Sequence, residues 1–215
     1  FNDSLVLIGG LSGNGQGSSD IWASTNGTHW KPMTMNAPWG STVVRGGALR
    51  DRLVAMSLEE HGAAWTSQDG KSWDVATDSV PWSAGRLDAG VVSNGGLVYV
   101  IGGKTKNTSL TNTVYVSQDG GVWAQATASA SFPPTDSMAV SAWSNKLFML
   151  GGLTGDASLT NAVFENTVPV APPQIHPNGG MLPCCSVDIS LTCPTPNAKF
   201  TYTISKSWDG TSESH

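Results

Sequence analysis

The sequence predicts an all-β repeat protein, a β-propeller of about three and a half four-stranded blades followed by a small, incomplete β-sandwich. Three observations predict it. Apolar runs end in Gly-Gly at residues 5–10 (LVLIGG), 97–103 (LVYVIGG) and 147–152 (LFMLGG). From Gly10 to Gly103 is 93 residues and from Gly103 to Gly152 is 49, so the first interval holds two units of about 46, a propeller-like period. A second ladder, Ser-x-(Asn/Asp)-Gly-x-x-Trp, recurs at residues 24–30, 67–73 and 117–123, which places Trp30, Trp73 and Trp123 at intervals of 43 and 50. Finally, the segments between are short, rich in Val, Ile, Thr and aromatics, and without a sustained helical period.

Each unit resolves into four strands. The first runs through segments such as 88–95 and 136–145, and the second is the apolar run that ends in Gly9-Gly10, Gly102-Gly103 or Gly151-Gly152. Glycines there allow close backbone approach where blades converge. The third strand is WAS, WTS, YVS or VFE, with Trp22, Trp65 or Tyr115 two residues before the turn serine. Asn26-Gly27, Asp69-Gly70 and Asp119-Gly120 predict type I′ turns with positive φ at both central residues, and the fourth strand begins near the closing Trp. In the second unit LVAMSLEE (53–60) replaces the Gly-Gly run, and the fourth unit retains only Asn161-Ala-Val-Phe164.

The three Gly-Gly pairs, the aromatic before each turn, and Trp30, Trp73 and Trp123 together resemble the kelch repeat, especially that of galactose-oxidase-like propellers, over residues 1–167. The turn is also similar to the Asp-box of sialidases, one residue shorter. The resemblance implies that these residues are scaffold. It also implies that a chain opening so close to its first apolar run is the C-terminal part of a larger propeller.

The Pro-rich segment 168–176 reads as a stiff linker. Beyond it, Val187, Ile189 and Leu191, then Phe200, Tyr202 and Ile204, alternate with polar residues as two strands joined by a turn at 194–197. Residues 177–215 resemble the chitobiase/β-hexosaminidase C-terminal-like module through Pro177, Gly179, Gly180, the Leu191-Thr-Cys strand, Pro196-Asn-Ala, Tyr202-Thr and Asp209-Gly. That family is common in secreted, carbohydrate-associated proteins, and its module runs further than His215.

Only 13% of residues are charged, net charge is −5, and the 11 Lys and Arg are scattered, which argues against nucleic-acid binding. No apolar run reaches the length of a membrane-spanning helix. Cys184, Cys185 and Cys193 lack the spaced-pair pattern of a metal site, and a disulfide from Cys184 or Cys185 to Cys193 is the expectation, with the odd cysteine pairing elsewhere. That implies an oxidising compartment. The sequons at Asn2, Asn26 and Asn107 permit a secreted glycoprotein, with Asn107 the best candidate.

No catalytic constellation, metal site or cofactor is expected. A galactose-oxidase-like copper site needs two His, a Tyr and a Tyr–Cys crosslink, whereas Tyr99 and Tyr115 sit on repeat positions and His29 lies inside a turn. Arg45 and Arg86 are the arginines that could reach the hub, and a structural role is the better reading. Glu59, Glu60 and His61 read as solvated charges of a degenerate repeat, and Asp88, Asp136 and Asp156 as isolated loop caps. Trp39, Trp82 and Trp143 fall off the main ladder, and interior packing outweighs sugar stacking for the first two. The resulting expectation is a noncatalytic extracellular or cell-surface protein whose propeller loops meet protein or glycan partners within a larger assembly. The alternative is part of a secreted carbohydrate-active enzyme or copper oxidase with its chemistry elsewhere.

Overall fold

A computed structural model describes residues 1–13, 15–167, 174–176, 190–192, 204–205 and 212–213. All regular structure among them is β, and the chain divides into two units at Val168/Pro169. The first unit holds four blades, the first and last of three strands each, which matches the expected three and a half four-stranded blades. Blade 1 is three-stranded: β1 (Leu5–Ile8), β2 (Ile21–Ser24) and β3 (Lys31–Thr34). Blade 2 is four-stranded: β4 (Val44–Ala48), β5 (Leu53–Ser57), β6 (Ala64–Ser67) and β7 (Asp74–Thr77). Blade 3 repeats it with β8 (Gly90–Asn94), β9 (Leu97–Ile101), β10 (Val114–Ser117) and β11 (Trp123–Thr127). Blade 4 comprises β13 (Ala139–Trp143), β14 (Lys146–Leu150) and β16 (Val163–Thr167), flanked by a ribbon of β12 (Thr135–Asp136) and β15 (Leu153–Thr154). Pairing is antiparallel throughout each blade.

Strands end where the sequence places its glycines. The N–H of Gly9, Ser57, Gly102 and Gly151 each donates across the blade, to the carbonyls of Asp20, Ala63, Thr113 and Ala162 at 2.9–3.0 Å. Four equivalent bonds fix the repeat register. Gly102 and Gly103 adopt φ of +61° and +90°, and a Cβ on Gly102 would lie 2.7 Å from the Thr135 carbonyl oxygen. Both the left-handed turn and the close approach therefore require glycine. Blade 2 makes the same exit without it, and the Ser57 hydroxyl accepts the Glu59 N–H at 3.1 Å.

The tight turns depart from the type I′ expectation. Gly27, Gly70 and Gly120 have positive φ, but Asn26, Asp69 and Asp119 do not. The acidic or amide residue is chosen for its side chain instead. Asp69 Oδ1 accepts the N–H of Lys71 and Ser72, both at 2.8 Å, and the buried Ser67 Oγ accepts the N–H of Gly70 at 2.8 Å. Asp119 with Ser117, and Asn26 with Ser24, repeat this network. Each closing indole, Trp30, Trp73 and Trp123, donates to the turn glycine's carbonyl at 3.0–3.3 Å. The turn is a side-chain-capped loop of the Asx and Ser/Thr type. A β-bulge also recurs between the last two strands of blades 1, 2 and 3, one residue before the strand aromatic.

The core lies between blades. Side chains alternate along each strand, one facing the preceding blade and the next facing the following one. Val54, Met56 and Ala64 of blade 2 meet Val98, Val100 and Tyr115 of blade 3. Leu97, Tyr99 and Ile101 of blade 3 meet Leu147, Met149 and Phe164 of blade 4. Val6, Ile8 and Ile21 of blade 1 meet Ala55 and Trp65 of blade 2. The inner strands β4, β8 and β13 run side by side, and a Cβ on Gly90 would collide with the side chain of Val140.

Trp39 and Trp82, off the ladder in sequence, form a third ladder with Phe132. Each sits in a connection between blades and inserts into the next blade. Trp39 stacks edge-on against Trp73 at 5.0 Å and lies 5.7 Å from Trp65. Trp82 repeats this on Trp123 at 5.1 Å and Tyr115 at 5.6 Å, and Phe132 meets Phe164 at 6.3 Å. All three are buried, so interior packing is their role. Trp143 differs, being 74% exposed at the end of β13.

In the second unit β17 (Gln174–His176) pairs with β18 (Ser190–Thr192), and β19 (Ile204–Ser205) pairs with β20 (Ser212–Glu213). β17 forms inside the expected linker, and most of the hairpin expected between segments 187–191 and 200–204 lies outside the described residues. Cys184, Cys185 and Cys193 lie outside the described residues.

Candidate interaction face

Antiparallel blades place their connections on two opposite faces. Going from first to second strand, and from third to fourth, the chain turns on one face, through 49–52, 68–73, 95–96, 118–122 and 144–145. Turns 68–73 and 118–122, with 25–30 of blade 1, are the ones capped by their own Ser and Asp or Asn side chains. The links from second to third strand, and from one blade to the next, emerge on the other face. They are long: 9–20, 35–43, 58–63, 78–89, 102–113, 128–138 and 151–162. Long loops on a rigid scaffold are where binding residues concentrate.

At the centre of the long-loop face, a cleft of about 380 Å³ lies where β4, β8 and β13 begin, lined by Arg45, Asp88, Gly90, Ser137, Met138 and Val140. Arg45 is exposed and forms no ion pair among the described residues. Asp88 and Ser137 enter β8 and β13 with left-handed φ of 55° and 54°, unusual for non-glycine residues, and the Ser137 N–H donates to the Asp88 carbonyl at 2.9 Å.

Asp88 and Asp136 are not isolated caps. Lys104 Nζ lies 2.8 Å from Asp88 Oδ2 and 3.2 Å from Asp136 Oδ2. Asp136 is 1% exposed, and its contact with Lys104 is an ion pair outside hydrogen-bond geometry. The contact with Asp88 first, and then that with Asp136, holds the Lys104 ammonium above its ordinary range. Sequence reading passed over Lys104, although its place right after Gly102-Gly103 puts it at the hub end of a loop. Asp156, by contrast, is the local cap expected: it accepts from the Thr154 hydroxyl and the Ser158 N–H.

A second cleft, of about 350 Å³, lies between loops and is lined by Glu59, Glu60, Gly85, Leu87 and Lys106. Lys106 donates to Glu60 at 3.0 Å and holds its carboxyl below the ordinary range. Glu59, Glu60 and His61 are all exposed, with His61 Nε2 3.9 Å from Glu60. The triplet thus contributes one bridge between loops, as solvated charges would.

Arg86 takes the structural role expected of it. Its guanidinium lies 5.6 Å from the centre of the Tyr115 ring and donates to the Gly85 carbonyl at 2.9 Å. The Tyr99 hydroxyl is pushed up to about 12 by burial, and His29 is exposed on the short-turn face. Among the described residues no group of three His, Cys, Asp or Glu is placed to hold a metal ion. No described helix is long and apolar enough to cross a membrane. Asn2, Asn26 and Asn107 are all exposed, and Asn107 lies in a loop closed by the Thr105–Ser109 bond on the long-loop face.

Residues 85–126 match the family model of the kelch motif, a stretch that holds β8, β9, β10 and nearly all of β11 in blade 3. No curated protein matches the chain. The solved structure of YjhT is similar with a TM-score of 0.53 and 15% identity, over 71% of this chain and 57% of that one. The chain therefore spans less than two thirds of YjhT, and at this identity the likeness is one of fold. The fold is a partial β-propeller of the kelch type, in which the third blade carries the match to the kelch motif.

Proposed function

We propose that this protein is a noncatalytic extracellular or cell-surface interaction protein that receives a protein or glycan partner on the long-loop face. The observation that carries the reading is the Arg45 guanidinium, without an ion pair among the described residues, in one cleft with the left-handed Asp88 and Ser137 where three inner strands begin. Strained backbone around a polar cleft is a feature of ligand clamps. The opposite face, in contrast, uses its polar groups internally, in turns repeated three times. A kelch-type scaffold of this kind positions loops, and the exposed sequon at Asn107 permits a secreted setting.

Binding to a glycan array and to a displayed library of extracellular proteins tests it, with wild type beside Arg45→Glu and Thr28→Glu. Arg45→Glu should abolish capture and Thr28→Glu, on the short-turn face, should leave it intact. Capture indifferent to Arg45, or no ligand tighter than about 1 mM, would overturn the reading. The secreted setting is checked separately by the intact mass of native protein before and after glycan removal.

A further inference from the structure

Arg45 and Asp88 line the same cleft and carry opposite charges, yet they form no ion pair with each other. Their separation has a source in the neighbouring loops. Asp88 Oδ2 lies 2.8 Å from Lys104 Nζ, and the same ammonium lies 3.2 Å from Asp136 Oδ2. Backbone bonds set all three residues in place. Leu87 and Lys104 each donate an N–H to the other's carbonyl at 2.8 Å, which puts the lysine beside Asp88. The Gly103 N–H donates to the Thr135 carbonyl at 2.9 Å, which brings Asp136 to the lysine from another loop.

The three charges are not equally free. Asp136 is 1% exposed, and neither of its carboxylate oxygens has a hydrogen-bond partner among the described residues, so Lys104 is its countercharge. Taking the ammonium away would strand a buried charge, a far larger loss than that of an exposed ion pair. Lys104 is thereby pinned by Asp136. The Asp88 carboxylate, 43% exposed, takes the other side of the ammonium. Without the lysine, Arg45 would be the cation left to it among the residues that line the cleft.

We infer that Asp136 and Lys104 are positioning residues, which hold the Asp88 carboxylate away from Arg45 and so keep that guanidinium open for a carboxylate of the partner. A guanidinium meets a carboxylate through two parallel N–H bonds, a geometry that an Asp88 already seated on Arg45 would block. The inference rests on the reading of this cleft as the binding site, but it is measured on Arg45 itself, with no partner present.

Modification of Arg45 by phenylglyoxal, followed by peptide mass spectrometry on the full chain with Arg50 as internal reference, tests it. Acetate is the carboxylate probe, compared with chloride at equal ionic strength. In wild type, acetate should slow the modification of Arg45. Lys104→Met/Asp136→Asn removes the cation together with the buried charge that needs it, and circular dichroism confirms that the fold is kept. Asp88 is then free to pair with Arg45, which should slow modification about fivefold, the factor for a pair at the upper end of exposed ones, and leave acetate without further effect. Adding Asp88→Asn to that variant should restore both the wild-type rate and the protection by acetate, a rescue that a merely structural role for Lys104 would not produce. Equal Arg45 rates in wild type and the double variant overturn the inference. So does a triple variant that stays slow, or a wild-type rate indifferent to acetate. If all these results hold and a partner screen still finds no ligand, the proposed function fails and the positioning role stands.

Discussion

Replacing Trp82 with alanine should uncouple blades 2 and 3. The indole is 1% exposed, packs edge-on against Trp123 and Tyr115, and donates to the Ser57 carbonyl at 3.2 Å. A buried Trp removes about 150–250 Å² from water, which at about 25 cal/mol per Å² is roughly 4–6 kcal/mol. Measured Trp-to-Ala changes cost about 3–5 kcal/mol, and partial collapse of the site sets the lower figure. Trp82→Phe is the control, since Phe132 fills the equivalent place before blade 4. It keeps the ring packing and loses the N–H donor, so it should cost about 1–2 kcal/mol. Urea unfolding followed by far-UV circular dichroism measures both, with Trp143→Ala, an exposed site, expected within about 0.5 kcal/mol of wild type. The reasoning is wrong if Trp82→Ala costs less than about 1 kcal/mol, or if Phe and Ala cost the same. Because repeat stability resides in nearest-neighbour interfaces, the Ala transition should also broaden.

Three further outcomes follow from the same geometry. Gly102→Ala forces a left-handed alanine whose Cβ meets the Thr135 carbonyl, and should cost about 2 kcal/mol or more of unfolding free energy, read as a lower urea midpoint. Lys104→Met leaves the buried Asp136 carboxylate without its cation and should destabilise by about 3 kcal/mol, recovered largely in the double variant with Asp136→Asn; an additive double variant would refute the pairing. Asp69 is held below its ordinary pKa by the N–H groups of Ser72 and Lys71. Burial raises that of Asp119, but the N–H donors of Val122 and Gly121 outweigh it, so its value too is lowered. A folded value below the unfolded one favours the fold fully above the unfolded pKa near 3.8, and the benefit disappears as pH falls through the folded value. The Asp69→Asn/Asp119→Asn variant keeps the acceptor oxygen, as Asn26 does in blade 1, so its stability should fall less than that of wild type in that acid window. Equal acid sensitivity would show that the turn carboxylates are not responsible.

The blade repeat was legible because local chemistry writes it directly. A glycine is needed wherever the second strand leaves in a left-handed turn, and Ser, Asp or Asn and Trp are needed wherever one residue's side chain must satisfy its neighbours' N–H groups. Such requirements act over a few residues and so appear as motifs at fixed spacing. The turn type was misread because Asn-Gly and Asp-Gly serve two purposes, backbone freedom and side-chain capping, which composition alone does not separate. The ladder of Trp39, Trp82 and Phe132 was visible at the same intervals of 43 and 50 but was passed over, since its third member is Phe and its partners lie in the next blade.

What the sequence by itself determined is therefore the unit: four short antiparallel strands, their two kinds of turn, and the period at which they recur. Only the tertiary structure decided what the units do to one another. It set Lys104 between Asp88 and Asp136, residues 16 and 32 positions away in the chain, and it separated a short-turn face carrying the three capped turns from a long-loop face holding Arg45. The physical reason is range. Backbone conformation and capping answer to immediate neighbours, whereas ion pairing and burial depend on which blade lies alongside.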